Sequence, residues 1–223
     1  MIRSSAENFA KRSFDLLFGS VGLCLSAPLW VIIALAIKNE DGGPIFFAQP
    51  RVGRHGRQFK SWKFRSMTAS SEVPAHIVQA THHDPRITRV GGILRATAMD
   101  ELPQLWNIVR GDMSVVGPRA LVPSEAEVHG SSRLVSLADI PGYHARHQVA
   151  PGLTGIAQIY ADRDIPRRHK FRYDLLYVRR RSFLLDLRLI ALSFWITARG
   201  KWEQRGGKLN KPLKARPVKA RIA

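Results

Sequence analysis

The sequence is poor in acidic residues and almost without cysteine. It has 17 Asp and Glu against 35 Lys and Arg, a formal net charge of +18. Such an excess says nothing about fold. It predicts polyanionic partners: nucleic acid, an anionic membrane face or phosphorylated substrates. The single cysteine, Cys24, excludes an intrachain disulfide and fits a reducing compartment. No Cys/His set stands at zinc-ligand spacing, and the adjacent His82 and His83 on a polar stretch read as solvated. There is no internal repeat. Apolar residues are not scarce: at 45% of 223 residues they can build a packed core, which excludes disorder throughout. That length suits one domain with a membrane segment attached.

The longest charge-free run covers residues 16–37, with Lys11, Arg12 and Asp15 before it and Lys38, Glu40 and Asp41 after. As a straight helix it would reach roughly 33 Å, close to the thickness of a bilayer core. It is too long for a signal-peptide core and no A-x-A site follows it. Pro28, near its middle, removes a helical hydrogen bond and predicts a kink or break. Two outcomes follow: a kinked helix that crosses the membrane, or one that bends back and leaves on the side it entered. Cations at both ends favour the second. From Lys201 onward there are eight Lys or Arg, one acid (Glu203) and two prolines. This reads as a mobile basic tail, either solvated or adhering to anionic headgroups.

Between these ends the pattern is mixed. Gly42-Gly43-Pro44 is a turn signal and residues 45–47 a short strand. Residues 59–65 alternate apolar and basic at period two, which predicts a half-buried strand. A hairpin across Gly53 and Gly56 would expose Lys60 or Lys63 and Arg65. Residues 70–81 are weakly helical, Asp84-Pro85-Arg86 is a turn, and residues 90–95 a short helix. An amphipathic helix covers residues 102–109. Pro103 is tolerated only in its first turn, so it starts near residues 100–102, and Gly111 stops it. Residues 167–198 hold a helix ending in an apolar stretch, 184–196, suited to a membrane surface. Arg179-Arg180-Arg181 is a charge run for a face near lipid headgroups, and Trp30 and Trp62 are interfacial anchors or core. The fold class is α+β, mostly helical with a small β-hairpin or sheet, plus a re-entrant or single spanning N-terminal membrane helix.

The helix start near Asp100 has an ordinary explanation: an acid there caps free N–H groups and meets the positive end of the helix dipole. A helix N-terminus also attracts phosphate. Around Asp100 and Glu101 lie Arg86, Arg89, Arg95 and Arg119 in turn contexts, and guanidinium forks match phosphate oxygens. Taken singly, each is a surface cation. Together with Lys63 and Arg65 they are candidates for a cationic cage around one diphosphate.

The stretches GPIFFAQPRVGRHGRQFKSWKFRSM (43–67), DPRITRVGGILRATAMDELPQLWNIVRGDMSVVGPR (84–119) and PGLTGIAQI (151–159) resemble the bacterial sugar transferases. These are the monotopic polyprenyl-phosphate phosphoglycosyl transferases, here of the exopolysaccharide-initiating type. Residues 11–15 and 174–178 extend the resemblance to about residues 11–197. It implies that Asp100 attacks a UDP-sugar, that UMP leaves, and that the phosphosugar passes from Asp100 to undecaprenyl phosphate. It implies that Glu101 helps bind Mg²⁺. Of the cage cations above, Lys63, Arg65, Arg86, Arg95 and Arg119 are the expected ligands of substrate phosphate. It implies a re-entrant helix broken near Pro28, seated in the bacterial inner membrane with the catalytic domain on the cytoplasmic face. UDP-glucose or UDP-galactose is the expected donor. The expected organisation is a membrane-embedded helix over 1–41, a catalytic domain with interfacial helices over 42–200 and the basic tail over 201–223. Two departures stand out. Ala27 separates Ser26 from Pro28, where the family often has Ser-Pro, and Ile156 follows the PGLTG loop, where many members have Trp. The competing readings are a membrane-tethered nucleic-acid-binding protein and a scaffold that recruits other enzymes through the tail. No recognised nucleic-acid motif supports the former.

Overall fold

The structure, a computed structural model, describes residues 5–68, 84–123, 125–129, 133–162 and 165–199. The expected helix at 70–81, the paired histidines and the basic tail lie outside the described residues. The N-terminal apolar run forms one helix, α1 (Ser5–Asp41), long and apolar enough to cross a membrane. It ends where Gly42 takes φ +68° and Lys38 Nζ donates to the Gly42 carbonyl at 2.7 Å.

The expected break at Pro28 is not found: α1 passes through it as one helix. The reason lies in packing on both sides of the proline. Phe14, Phe18 and Leu23 pack against one apolar cluster of the domain, and Leu29, Trp30, Ile33 and Ile37 against a second. A proline costs a helix interior about 3 kcal/mol, and contacts of this extent can keep both halves helical against that cost. The opposite side of α1 is bare, with Phe9, Leu17, Leu25, Ile32 and Leu35 all exposed.

The hairpin forms as the period-two pattern predicts. β1 (Phe46–Val52) pairs antiparallel with β2 (Gln58–Phe64), and the tip over Gly53 and Gly56 is a short 3-10 turn. The register sets Phe46 opposite Phe64, and these rings stack beside Trp30 of α1. It also sets Phe47 opposite Lys63 and Gln49 opposite Ser61. Lys63, Ser61, Gln49 and Arg51 therefore share the other face.

Two helices close over the hairpin. α2 (Arg89–Ala96) starts at Thr88, whose hydroxyl accepts from the Gly91 N–H at 2.9 Å, and Glu40 of α1 accepts from the Arg89 N–H at 2.6 Å. α3 (Gln104–Arg110) ends at Gly111 with φ +92°. Arg12 of α1 donates to the last carbonyls of α3, those of Ile108 and Val109, both at 2.6 Å. Asn107, fully buried, latches α3 to β2: it accepts from the Trp62 N–H and donates to the Lys60 carbonyl.

A second layer follows: β3 (Ser114–Val116), the pair β4 (Ala126–His129) and β5 (Arg133–Ser136), α4 (Tyr143–Arg146), β6 (Gly152–Thr154), α5 (Ile156–Tyr160), α6 (Arg167–Arg180) and α7 (Phe183–Ala198). β3 pairs in parallel with β6, and β4 in antiparallel with β5. The single mixed helix expected over 167–198 is two helices. Ser182 separates them and caps α7 by accepting from the Leu185 N–H. The main core gathers Leu105, Ile108, Val115, Val116, Leu189 and Ile190 beneath α1. Asp15 of α1, 4% exposed, is anchored there by Ser114 Oγ, the Val115 N–H and Lys11.

Two loops meet backbone to backbone. Gly117 N–H donates to the Thr154 carbonyl and Gly152 N–H to the Pro118 carbonyl, both at 2.9 Å. A Cβ on Gly152 would stand 1.9 Å from the Gly117 nitrogen. Gly152→Ala is therefore expected to cost about 2 kcal/mol or more, lowering the thermal midpoint by roughly 4–8 °C in a detergent-solubilised melt.

Candidate active site

Asp100 and Glu101 stand on a single 3-10 turn, Met99–Glu101, between α2 and α3. Ala98 opens the turn in the left-handed region, with φ +55°. Such a conformation costs a non-glycine residue of order 1 kcal/mol and persists where its surroundings hold it. Pro103, not Asp100, takes the cap position of α3, and no side chain caps that end. The capping role expected for Asp100 is thus not realised.

Asp100 is buried at 8% exposure, and Lys63 Nζ lies 3.8 Å from its Oδ2. The same ammonium donates to Glu101 Oε1 at close range, and the Arg119 guanidinium approaches that oxygen to 3.5 Å. The two acids are consequently unlike. Burial pushes Asp100 up to about 6, against the pull of Lys63 and with a push from Glu101. Burial acts on Glu101 in the same direction, but Lys63, Arg119 and the Lys63 hydrogen bond together outweigh it and hold that carboxyl below its usual value.

Beside the pair is a small open cleft whose lining includes Arg51, Ser61, Lys63, Glu101, Arg119 and Leu153. Arg51 went unnoticed as a site residue in the sequence. It donates to the Ala120 carbonyl at 3.1 Å and to Gln49 Oε1 at 2.6 Å. Burial, then the neighbouring Arg119, lower it to about 10, so it stays cationic at neutral pH. The hairpin register could have found it, since counting back from Lys63 across the two-glycine tip places Arg51 on the same face.

Of the cations expected to form a cage, the structure brings Lys63 and Arg119 against the acids. It sets Arg95, in the last turn of α2, within electrostatic reach of Asp100. Arg65 and Arg86 are engaged elsewhere. Arg65, 7% exposed, forks onto Asp41 at the end of α1, and Arg86 forks onto Asp84 at 2.8 and 2.6 Å. Each meets a carboxylate closer to hand than Asp100 or Glu101. Arg89 contributes its backbone N–H to Glu40.

Arg119 is held from behind. Arg146, 1% exposed, donates to the Arg119 carbonyl at 2.5 Å and to Asp174 at 2.8 Å, with its guanidinium 4.9 Å from the Phe171 ring. Both residues are buried, so this pair acts as a rigid mount for the loop.

Among the described residues no cluster of three or more His, Cys, Asp or Glu could enclose a metal. Two adjacent carboxylates beside a cationic cleft suit Mg²⁺ of a different kind, held by one or two acids and completed by substrate phosphates. A buried carboxylate with a raised pKa, a second acid fixed by cations and a cleft matched to phosphate together have the chemistry of phosphoryl-group transfer with a carboxylate nucleophile.

The comparisons with known proteins give the family. The family model described as bacterial sugar transferase matches residues 6–200, and the chain belongs to that family. It is 43% identical over 188 residues to the UDP-glucose:undecaprenyl-phosphate glucose-1-phosphate transferase of Klebsiella pneumoniae, covering 82% of this chain and 39% of that protein. The undecaprenyl-phosphate glucose phosphotransferase of Komagataeibacter xylinus is 43% identical, with 85% of this chain and 36% of that protein aligned. The exopolysaccharide production protein PSS of Rhizobium leguminosarum bv. phaseoli is 40% identical, with 81% and 90% aligned. The chain thus spans under two fifths of the first two relatives and nine tenths of the third.

Since Lys63 pulls the Asp100 carboxyl down, Lys63→Gln should raise the midpoint of its titration above about 6. The ¹³C resonance of the Asp100 carboxyl, followed against pH in detergent, would read the shift; an unchanged or lower midpoint would contradict the electrostatic coupling.

Proposed function

We propose that the protein transfers a sugar-1-phosphate from a UDP-sugar to undecaprenyl phosphate, releasing UMP, as the first step of exopolysaccharide assembly. The observation that carries the reading is the buried Asp100 carboxylate, 3.8 Å from Lys63, beside a cleft that Glu101, Lys63, Arg119 and Arg51 line together. An Asp100 oxygen attacks the sugar-bound phosphorus, and the bond from that phosphorus to the UMP oxygen breaks. The phosphosugar is then held as an acyl phosphate. An oxygen of undecaprenyl phosphate attacks the same phosphorus and frees the carboxylate. One diphosphate linkage is broken and one is made, so the transfer is close to balanced in free energy. Lys63, Arg119 and Arg51 neutralise and orient the phosphates. Mg²⁺, held by Glu101 and the substrate, would supply further charge neutralisation on the diphosphate. UDP-glucose is the favoured donor, because relatives from several bacteria carry that sugar in their names.

The packing of α1 supports seating in one leaflet; the inner membrane with the catalytic domain on its cytoplasmic face is the setting proposed for it. Near its start Lys11 pairs with Asp186 and Arg12 binds α3, while near its end Glu40 and Asp41 bind α2 and Arg65. These attachments are about 44 Å apart along the helix, against a hydrocarbon core of about 30 Å. A helix crossing the bilayer would carry one set of polar attachments to the far side. Lying along the domain with its bare apolar side in lipid, α1 keeps both sets in water or at the headgroups.

Asp100→Asn should lower UMP release from UDP-glucose by at least about 10⁴-fold and abolish a phosphosugar adduct at position 100, read by peptide mass spectrometry after rapid quenching. Normal turnover in this variant would refute the mechanism. The pH profile of kcat/KM should fall about tenfold per unit below about pH 6, because the nucleophile must be ionised and its pKa is raised. Arg51→Gln should raise KM for the UDP-sugar by about tenfold or more while leaving that for undecaprenyl phosphate nearly unchanged.

A further inference from the structure

The run Arg179-Arg180-Arg181 is not used by the reaction, and one of its members borders a second cavity. Between α5, α6 and α7 lies an open groove, lined by Ile156, Tyr160, Leu176, Arg180, Leu185 and Arg188. Its walls are almost wholly apolar, and Arg180 and Arg188 border it. Arg180 and Arg188 are both exposed, and neither has a hydrogen-bond or ion-pair partner among the described residues. The position of Arg180 in the last turn of α6 has an ordinary account, a cation at a helix C-terminus. Arg188 has no such account, since it stands mid-helix with Leu184 one turn before it and Leu187 beside it, both exposed. A guanidinium rising through an apolar surface is the arrangement that places a cation at the depth of lipid phosphates. The rest of α7 agrees, because Phe183, Phe194 and Trp195 are also exposed, with Arg199 stacked 3.9 Å over the Trp195 ring.

We propose that this groove binds one acyl chain of an anionic glycerophospholipid whose phosphate is gripped by Arg180 and Arg188. An apolar slot with two unpaired cations at its rim complements a molecule with an apolar chain and one phosphate charge, and guanidinium forks fit phosphate oxygens. The groove shares no lining residue with the catalytic cleft, so a phosphate on these arginines is not the one that reacts at Asp100. That distinction from the acceptor lipid rests on the functional reading above. The two sites are nonetheless linked. Gly152 and Leu153 of β6 line the cleft, and Ile156 and Tyr160 of the next helix line the groove. A chain lodged against α5 therefore braces the loop that bears on Arg119.

The test uses the full chain in detergent, titrated with dioleoyl phosphatidylglycerol or dioleoyl phosphatidylcholine and read by native mass spectrometry. The wild type should retain one phosphatidylglycerol with at least about tenfold preference, as two surface cations near a phosphate would give. Arg180→Gln with Arg188→Gln should abolish the preference, and Arg180→Lys with Arg188→Lys should keep most of it. Leu185→Trp, which fills the groove and leaves both arginines, should lower retention. Far-ultraviolet circular dichroism would check that each variant is folded. Equal retention of the two lipids by the wild type, or undiminished preference in the glutamine variant, would overturn the site. Displacement of phosphatidylglycerol by undecaprenyl phosphate at equal concentration would also overturn it, because the groove would then hold the acceptor. Retention is measured without turnover, so a chain that kept the lipid yet released no UMP would leave this site standing and remove the transferase reading.

Discussion

The structure around the site depends on one ammonium group shared by two adjacent carboxylates. Asp100 and Glu101 follow one another on a tight turn and are both withdrawn from water. Two charges about 4 Å apart repel by several kcal/mol even in an effective dielectric near 20. Lys63 resolves the conflict unequally. Its contact with Glu101 is close and that with Asp100 is 3.8 Å, and Arg119 adds to the Glu101 side. One acid is therefore fixed as an anion while the other keeps a titrating carboxyl. Without the cation, burial would leave both partly protonated and the turn would lose its difference in character.

Much of the remaining fold serves to aim that ammonium and its companion guanidinium. Lys63 is carried by β2, which Asn107 latches to α3 through two backbone bonds, so the strand is tied to the helix that follows the Asp100–Glu101 turn. α3 is fastened in turn by Arg12 of α1 at its C-terminal carbonyls. Arg119 sits on a loop clamped on one side by backbone contact with the Gly152 loop and on the other by the buried Arg146 and Asp174. The N-terminal helix is thus part of the scaffold of the candidate site as well as an exposed apolar face. This accounts for polar residues such as Lys11, Arg12 and Asp15 at the start of a helix that is otherwise so apolar.

The sequence disclosed those parts of the site that local pattern determines. Alternation in residues 59–65 marks a strand with Lys60 or Lys63 on one face, and Pro103 and Gly111 bracket α3 to within a few residues. The acidic pair and Arg119 stood out by their company of glycine and proline turns. What failed was pairing over distance. Arg65 was assigned to phosphate because its partner, Asp41, lies 24 residues earlier and across a turn. Arg86 was a different case: Asp84 is two residues away, and the Asp-Pro-Arg turn could have suggested a local ion pair. Arg51 was missed because its membership of the site follows from hairpin register and not from any feature of its neighbours. Pro28 misled for the opposite reason, since a local rule predicted a break that packing along both halves of α1 overrode.

The same asymmetry between the two acids argues for which one forms the covalent bond in the proposed reaction. Nucleophilicity of oxygen anions rises with their basicity, so of two ionised carboxylates the one with the higher pKa is the better attacker, provided that it is ionised at working pH. Asp100, raised to about 6, meets both conditions near neutrality. Glu101 does not compete, because Lys63 and Arg119 stabilise its charge and would have to be displaced before its oxygen could bond to phosphorus. The raised pKa also bears on the second half of the reaction. A more basic carboxylate is a poorer leaving group, so Asp100 would gain in attack what it loses in release. A pKa moderately above the ordinary carboxylate value balances these demands, and burial partly offset by one lysine is a physical means of setting it there.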